Sequence, residues 1–109
     1  MPWICLLLAG CFEIGWPLGM KLSQTRPPTE KFFWLVIAVV SMALSGYFLW
    51  LAQKTIPLGT SYAIWTGIGA IGAFVIGILM FQDPATFWRI LSVTLIIAGI
   101  IGLKLSAAA

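Results

Sequence analysis

Hydrophobic residues fall into four long runs, and the polar residues are gathered in the short gaps between them. The runs cover residues 3–21, about 32–52, about 58–81 and about 86–105. Each is about 20 residues, the length an α-helix needs to cross a hydrocarbon core of about 30 Å. The gaps carry turn chemistry. SQTRPPTEK (23–31) has two prolines, QKTIP (53–57) ends in one, and QDPA (82–85) holds an Asp-Pro pair. Strands of a membrane barrel would be about half as long and would alternate in polarity, which these runs do not. Trp3, Trp34 and Trp88 sit near run ends, as an aromatic belt would. The pattern predicts an all-α membrane protein, a single domain over residues 1–109 with four transmembrane helices.

Composition sharpens this. Of 109 residues, 61% are hydrophobic and 8% charged, which leaves too little polar surface for a water-soluble domain. The six basic residues are scattered singly, so no patch exists to bind nucleic acid. No phosphate-binding loop is present, and the reading requires no cofactor; any transport would draw on an ion gradient. Cys5 and Cys11 lie six residues apart and do not face each other on a helix, so they are expected to be packing residues. LLLAGC (6–11) resembles a lipidation signal at Cys11, but no basic residue precedes the run and that reading is set aside. Lys21, Arg26, Lys31 and Arg89 lie on one side of the membrane, against Lys54 and Lys104 on the other. Four against two is a slight bias, which leaves both orientations accessible.

One charge lies inside a run. Glu13 is ten residues beyond Trp3, about 15 Å deep and near the membrane midplane. An acid there is costly; it usually faces a bundle interior or cavity, and marks an ion or proton site. The structural alternative is a protonated carboxyl joining two helices. Gly10, Glu13, Trp16 and Pro17 share a helix face. Pro17 cannot donate to the carbonyl four residues back, which is that of Glu13, so the helix is expected to bend there with a free carbonyl.

The other runs offer partners. Ser41 and Ser45 face one way with Ala38, Phe48 and Ala52, either lining a helix interface or bonding to their own helix. Tyr62 and Trp65 lie three apart on one face, a donor and π surface suited to a cation beside a carboxylate. Gly67, Gly69, Gly72 and Gly77 follow; Gly69, Ala73 and Gly77 form a small-residue stripe. These glycines permit either bending or close packing. Ala98 and Gly102 repeat the small spacing in the fourth run, an assembly helix without a buried charge.

Four helices barely enclose a site. Two copies inserted in opposite senses would form an inverted repeat with two Glu13 side chains around one cavity. Desolvation favours the protonated acid in an empty site, and an incoming cation favours the carboxylate. Competition of the two for one site would couple inward proton flow to outward cation movement.

The chain resembles the small multidrug resistance family, closest to its guanidinium exporter subtype. The matching stretches are AGCFEIGWPLGMKLS (9–23), KTIPLGT (54–60), SYAIWTGIGAIGA (61–73) and AGIIGLKLS (98–106). The resemblance implies an antiparallel, dual-topology homodimer in the bacterial inner membrane that exchanges protons for a small organic cation. It implies that Glu13 is the essential carboxylate. Trp16, Ser45, Tyr62 and Trp65 would bond the carboxylates or flank substrate, and the glycines of the third helix would be its flexing point. Pro17, Gly46 and a longer first loop with Pro27-Pro28 depart from the subtype's usual pattern. Guanidinium-type cations are the favoured substrate. The alternatives are a methylated or quaternary ammonium or a polyaromatic drug cation, held in an aromatic box of Trp16, Tyr62 and Trp65. Outside this class stand a cation channel and a structural membrane protein.

Overall fold

Prolines mark three of the helix ends. The computed structural model describes residues 1–107 and contains four long helices, α1 (Pro2–Thr25), α2 (Lys31–Ala52), α3 (Leu58–Phe81) and α4 (Phe87–Ala107). Each is long and apolar enough to cross a membrane. α1 starts with Pro2, whose missing N–H would have been unbonded in a first turn anyway. It runs four residues beyond the apolar stretch, to Thr25. There the Ser23 and Thr25 hydroxyls donate to the carbonyls of Met20 (2.6 Å) and Lys21 (3.1 Å), so polar residues continue the helix at the interface. It stops at Arg26, which precedes Pro27, is disfavoured from helical geometry by it, and adopts φ −85°, ψ 164°.

A 3-10 turn, Pro28–Glu30, leads into α2. Pro57 precedes α3. α3 closes on Gln82, the one non-glycine residue with positive φ among those described (61°). The Asp83 N–H then donates back to the Gly77 carbonyl at 3.0 Å. The loop ends with Arg89 Nε donating to the Pro84 carbonyl at 2.7 Å, while the Thr86 hydroxyl accepts from the Arg89 N–H.

Packing is uneven. α1 lies along α2 over most of its length and along α3 for less; α4 packs its backbone against α3, with Lys104 reaching to 5.1 Å from the Trp3 ring centroid of α1. The Cα extents are 51 × 35 × 16 Å, so the helices form a thin layer rather than a closed four-helix bundle. Most buried residues are small: Ala9, Ala38, Ser45, Ala52 and Ser61. Small residues let backbones approach closely, the main source of helix affinity in lipid. A larger cluster of Leu6, Ile56 and Ile64 closes around Ala52 at one end of the layer. Leu7, Val39, Leu79 and Ile101 point outward, as lipid-facing side chains do.

Candidate functional site

α1 presents Glu13 to α3. The carboxyl is half-buried, and Trp16, one turn along, donates its indole N–H to Oε1 at 2.7 Å. A glycine makes the approach to α3 possible. A methyl at Gly69 would stand 2.6 Å from Glu13 Cγ, well inside contact distance. The neighbouring glycines interlock the same two helices. Gly10 receives Ile68, which a methyl would meet at 2.6 Å, and Gly72 receives Ile14. Gly67 faces the other way, toward Ile100 of α4. These four positions therefore act as notches for named side chains. Pro17 lies within α1, which continues helically through it. Having no N–H, it leaves the Glu13 carbonyl without its helical donor.

Ser45 joins three helices. It is fully buried on α2 and donates to the Ala9 carbonyl of α1 at 2.7 Å. It accepts from the Trp65 indole N–H of α3 at 2.8 Å. The hydroxyl is thus spent one turn away from Glu13, on the carbonyl that Glu13's own N–H meets in a regular helix. In the membrane interior, with no water to replace them, such bonds are retained. Trp65 in turn stacks at a tilt on Tyr62, with centroids 5.4 Å apart and planes at 49°. Tyr62 keeps 55% of its surface exposed. Phe12 and Phe48 stack nearly parallel between α1 and α2, at 5.9 Å.

Two polar groups therefore lie one turn apart on α1, the Trp16–Glu13 pair and the Ala9–Ser45–Trp65 chain across α1, α2 and α3, with the Tyr62 ring stacked on Trp65 at the open edge. Of the three acids, Glu13 alone lies in the middle of a long apolar helix; Glu30 is in the 3-10 turn and Asp83 in the α3–α4 loop. Comparison with known families gives a match over residues 1–96 to the Small Multidrug Resistance protein model. The chain belongs to the small multidrug resistance family. Its relatives in that family include a guanidinium exporter of Salmonella typhimurium strain LT2, 49% identical over 98% of this chain and 99% of that protein. A guanidinium exporter of Yersinia pseudotuberculosis is 45% identical over 98% of this chain and all of its own length. One from Citrobacter freundii is 46% identical over 97% and 98%. With four apolar spans and these bacterial relatives, the chain is a multi-pass protein of the bacterial inner membrane.

For this family member the structure adds positions that sequence reasoning passed over. Gly15 and Gly19 form the α1–α2 seam: a methyl at Gly15 would lie 2.7 Å from Ser41 Oγ, and one at Gly19 3.0 Å from the Trp34 carbonyl. Their four-residue spacing is the available signal. The Ala9 carbonyl has none, because backbone acceptors look alike in sequence.

Proposed function

We propose that this protein is a proton-coupled antiporter that exports guanidinium or a small substituted guanidinium, acting as an antiparallel, dual-topology homodimer. The observation that carries the reading is Glu13, the lone acid of the membrane spans, with Trp16 donating to only one of its oxygens. A carboxylate has further lone pairs for parallel N–H donors, and a planar guanidinium supplies such donors. A quaternary ammonium has none and would rely on the Tyr62 and Trp65 faces alone. The relatives, guanidinium exporters, point to the same cation. The thin layer of helices leaves Glu13 half-exposed, which a second copy would cover.

The cycle follows from competition. A proton and a cation exclude each other at Glu13, so the gradient of one drives the other. Reconstituted vesicles test this. An inward proton gradient is expected to drive guanidinium uphill, and Glu13→Gln to reduce the flux to that of empty vesicles. Guanidinium flux indifferent to pH would point to a channel. No flux of any cation, with a folded Glu13→Gln variant, would point to a structural role. Proton-coupled current is expected with guanidinium and phenylguanidinium; current with tetramethylammonium alone would overturn the substrate assignment.

A further inference from the structure

The seam between α1 and α3 continues beyond Glu13 toward the membrane surface. There the helices part around a cavity of about 280 Å³. Pro17 and Lys21 line it from α1, Ala73 and Gly77 from α3, and Asp83 from the loop that follows. A water occupies about 30 Å³ of liquid, so the space admits a small hydrated cation. Ala73 and Gly77 belong to the stripe of small residues on α3. Gly69 receives Glu13, Ala73 is one turn on, and Gly77 two turns on, about 12 Å along the axis.

Asp83 is held at the outer end. Left-handed Gln82 turns the chain, and the Asp83 N–H bonds back to Gly77. The carboxylate oxygen Oδ2 occupies the space that a Cβ on Gly77 would need. It therefore rests on the α3 backbone at the end of the stripe. Lys21 lines the same mouth, its ammonium 6.0 Å from the Phe81 ring centroid. At the inner end Ile14 lines the cavity and seats its side chain in the Gly72 notch, beside Glu13. The stretch of groove between Glu13 and Asp83 thus has a carboxylate at either end and the Ile14 side chain between them.

We propose that Asp83 is a second cation-binding residue, a station at the water-side mouth of the α1–α3 groove through which the exported cation passes. This rests on the cation-exporter reading above. Exposed to water, the Asp83 carboxylate holds a cation briefly and raises its concentration at the mouth. Lys21 competes for the same carboxylate and keeps the stay short.

The test is initial guanidinium flux against concentration in vesicles of the full chain, for the parent, Asp83→Asn, Gly77→Ala and both together. Asp83→Asn preserves side-chain shape and the backbone bond to Gly77. It is expected to raise KM about fivefold and leave kcat unchanged. Gly77→Ala is expected to do the same by displacing the carboxylate, and the double variant to be no worse than either alone. Asp83→Glu restores part of the loss. An unchanged KM in Asp83→Asn overturns the proposal, as do losses that add in the double variant. Absent flux in the parent, or parent flux that survives Glu13→Gln, overturns the exporter reading itself.

Discussion

The glycines of the α1–α3 seam and those of α4 have the same chemistry and opposite surroundings. At Gly10, Gly69 and Gly72 an added methyl would collide with Ile68, Glu13 and Ile14. At Gly99 and Gly102 it would meet nothing within 4 Å. α4 contains no fully buried residue among those described, whereas α1 and α3 bury residues along their lengths. The first set is spent inside the subunit, holding the acid against its neighbour. The second set is unspent. The chain is thus built from a part that holds the candidate site, α1 to α3, and one outer helix whose small-residue face is open. Its own packing says which glycines are committed.

This contrast can be broken by substitution. The largest effect is expected at Gly69. Gly69→Ala forces Glu13 or α3 to move and should cost about 1–3 kcal/mol, with transport falling alongside stability. Unfolding in mixed micelles and flux in vesicles measure the two. An unchanged flux would show that the Glu13 notch is not needed.

Ser45→Ala comes next. It leaves the Trp65 N–H and the second lone pair of the Ala9 carbonyl unsatisfied in a buried setting, at about 1–2 kcal/mol. Ser45→Thr retains the hydroxyl and should lose less if the extra methyl fits. Gln82→Gly works in the opposite direction. It removes a side chain from a left-handed backbone position and should stabilise the subunit by about 1 kcal/mol. A fall in stability would show that the Gln82 side chain has a partner of its own.

Gly102→Ala is the smallest change. With open space around it, the subunit should lose nothing and gain less than about 1 kcal/mol of helix propensity. The opposite signs at Gly69 and Gly102 are the sharpest form of the comparison. If α4 mediates pairing of copies, Gly102→Leu should lower the dimer fraction by cross-linking while the subunit fold is retained.

Residue pattern alone determined the four long apolar helices, the acid inside the first of them and the breaks at Pro27 and Pro57. Hydropathy, helix length and proline's missing N–H all act locally, so they can be read along one dimension. The extension of α1 to Thr25 was less legible, because back-bonding hydroxyls carry a helix past its apolar stretch. Tertiary structure decided the partners. Ser45 meets Ala9 from 36 residues away and Trp65 from 20 away. Whether its hydroxyl served its own helix, Glu13 or another carbonyl depended on the register between helices. The same register made notches of the α1–α3 glycines, left those of α4 open, and set the only aspartate against Gly77. Register is a sum of many small contacts between distant segments, and no single run of residues contains it.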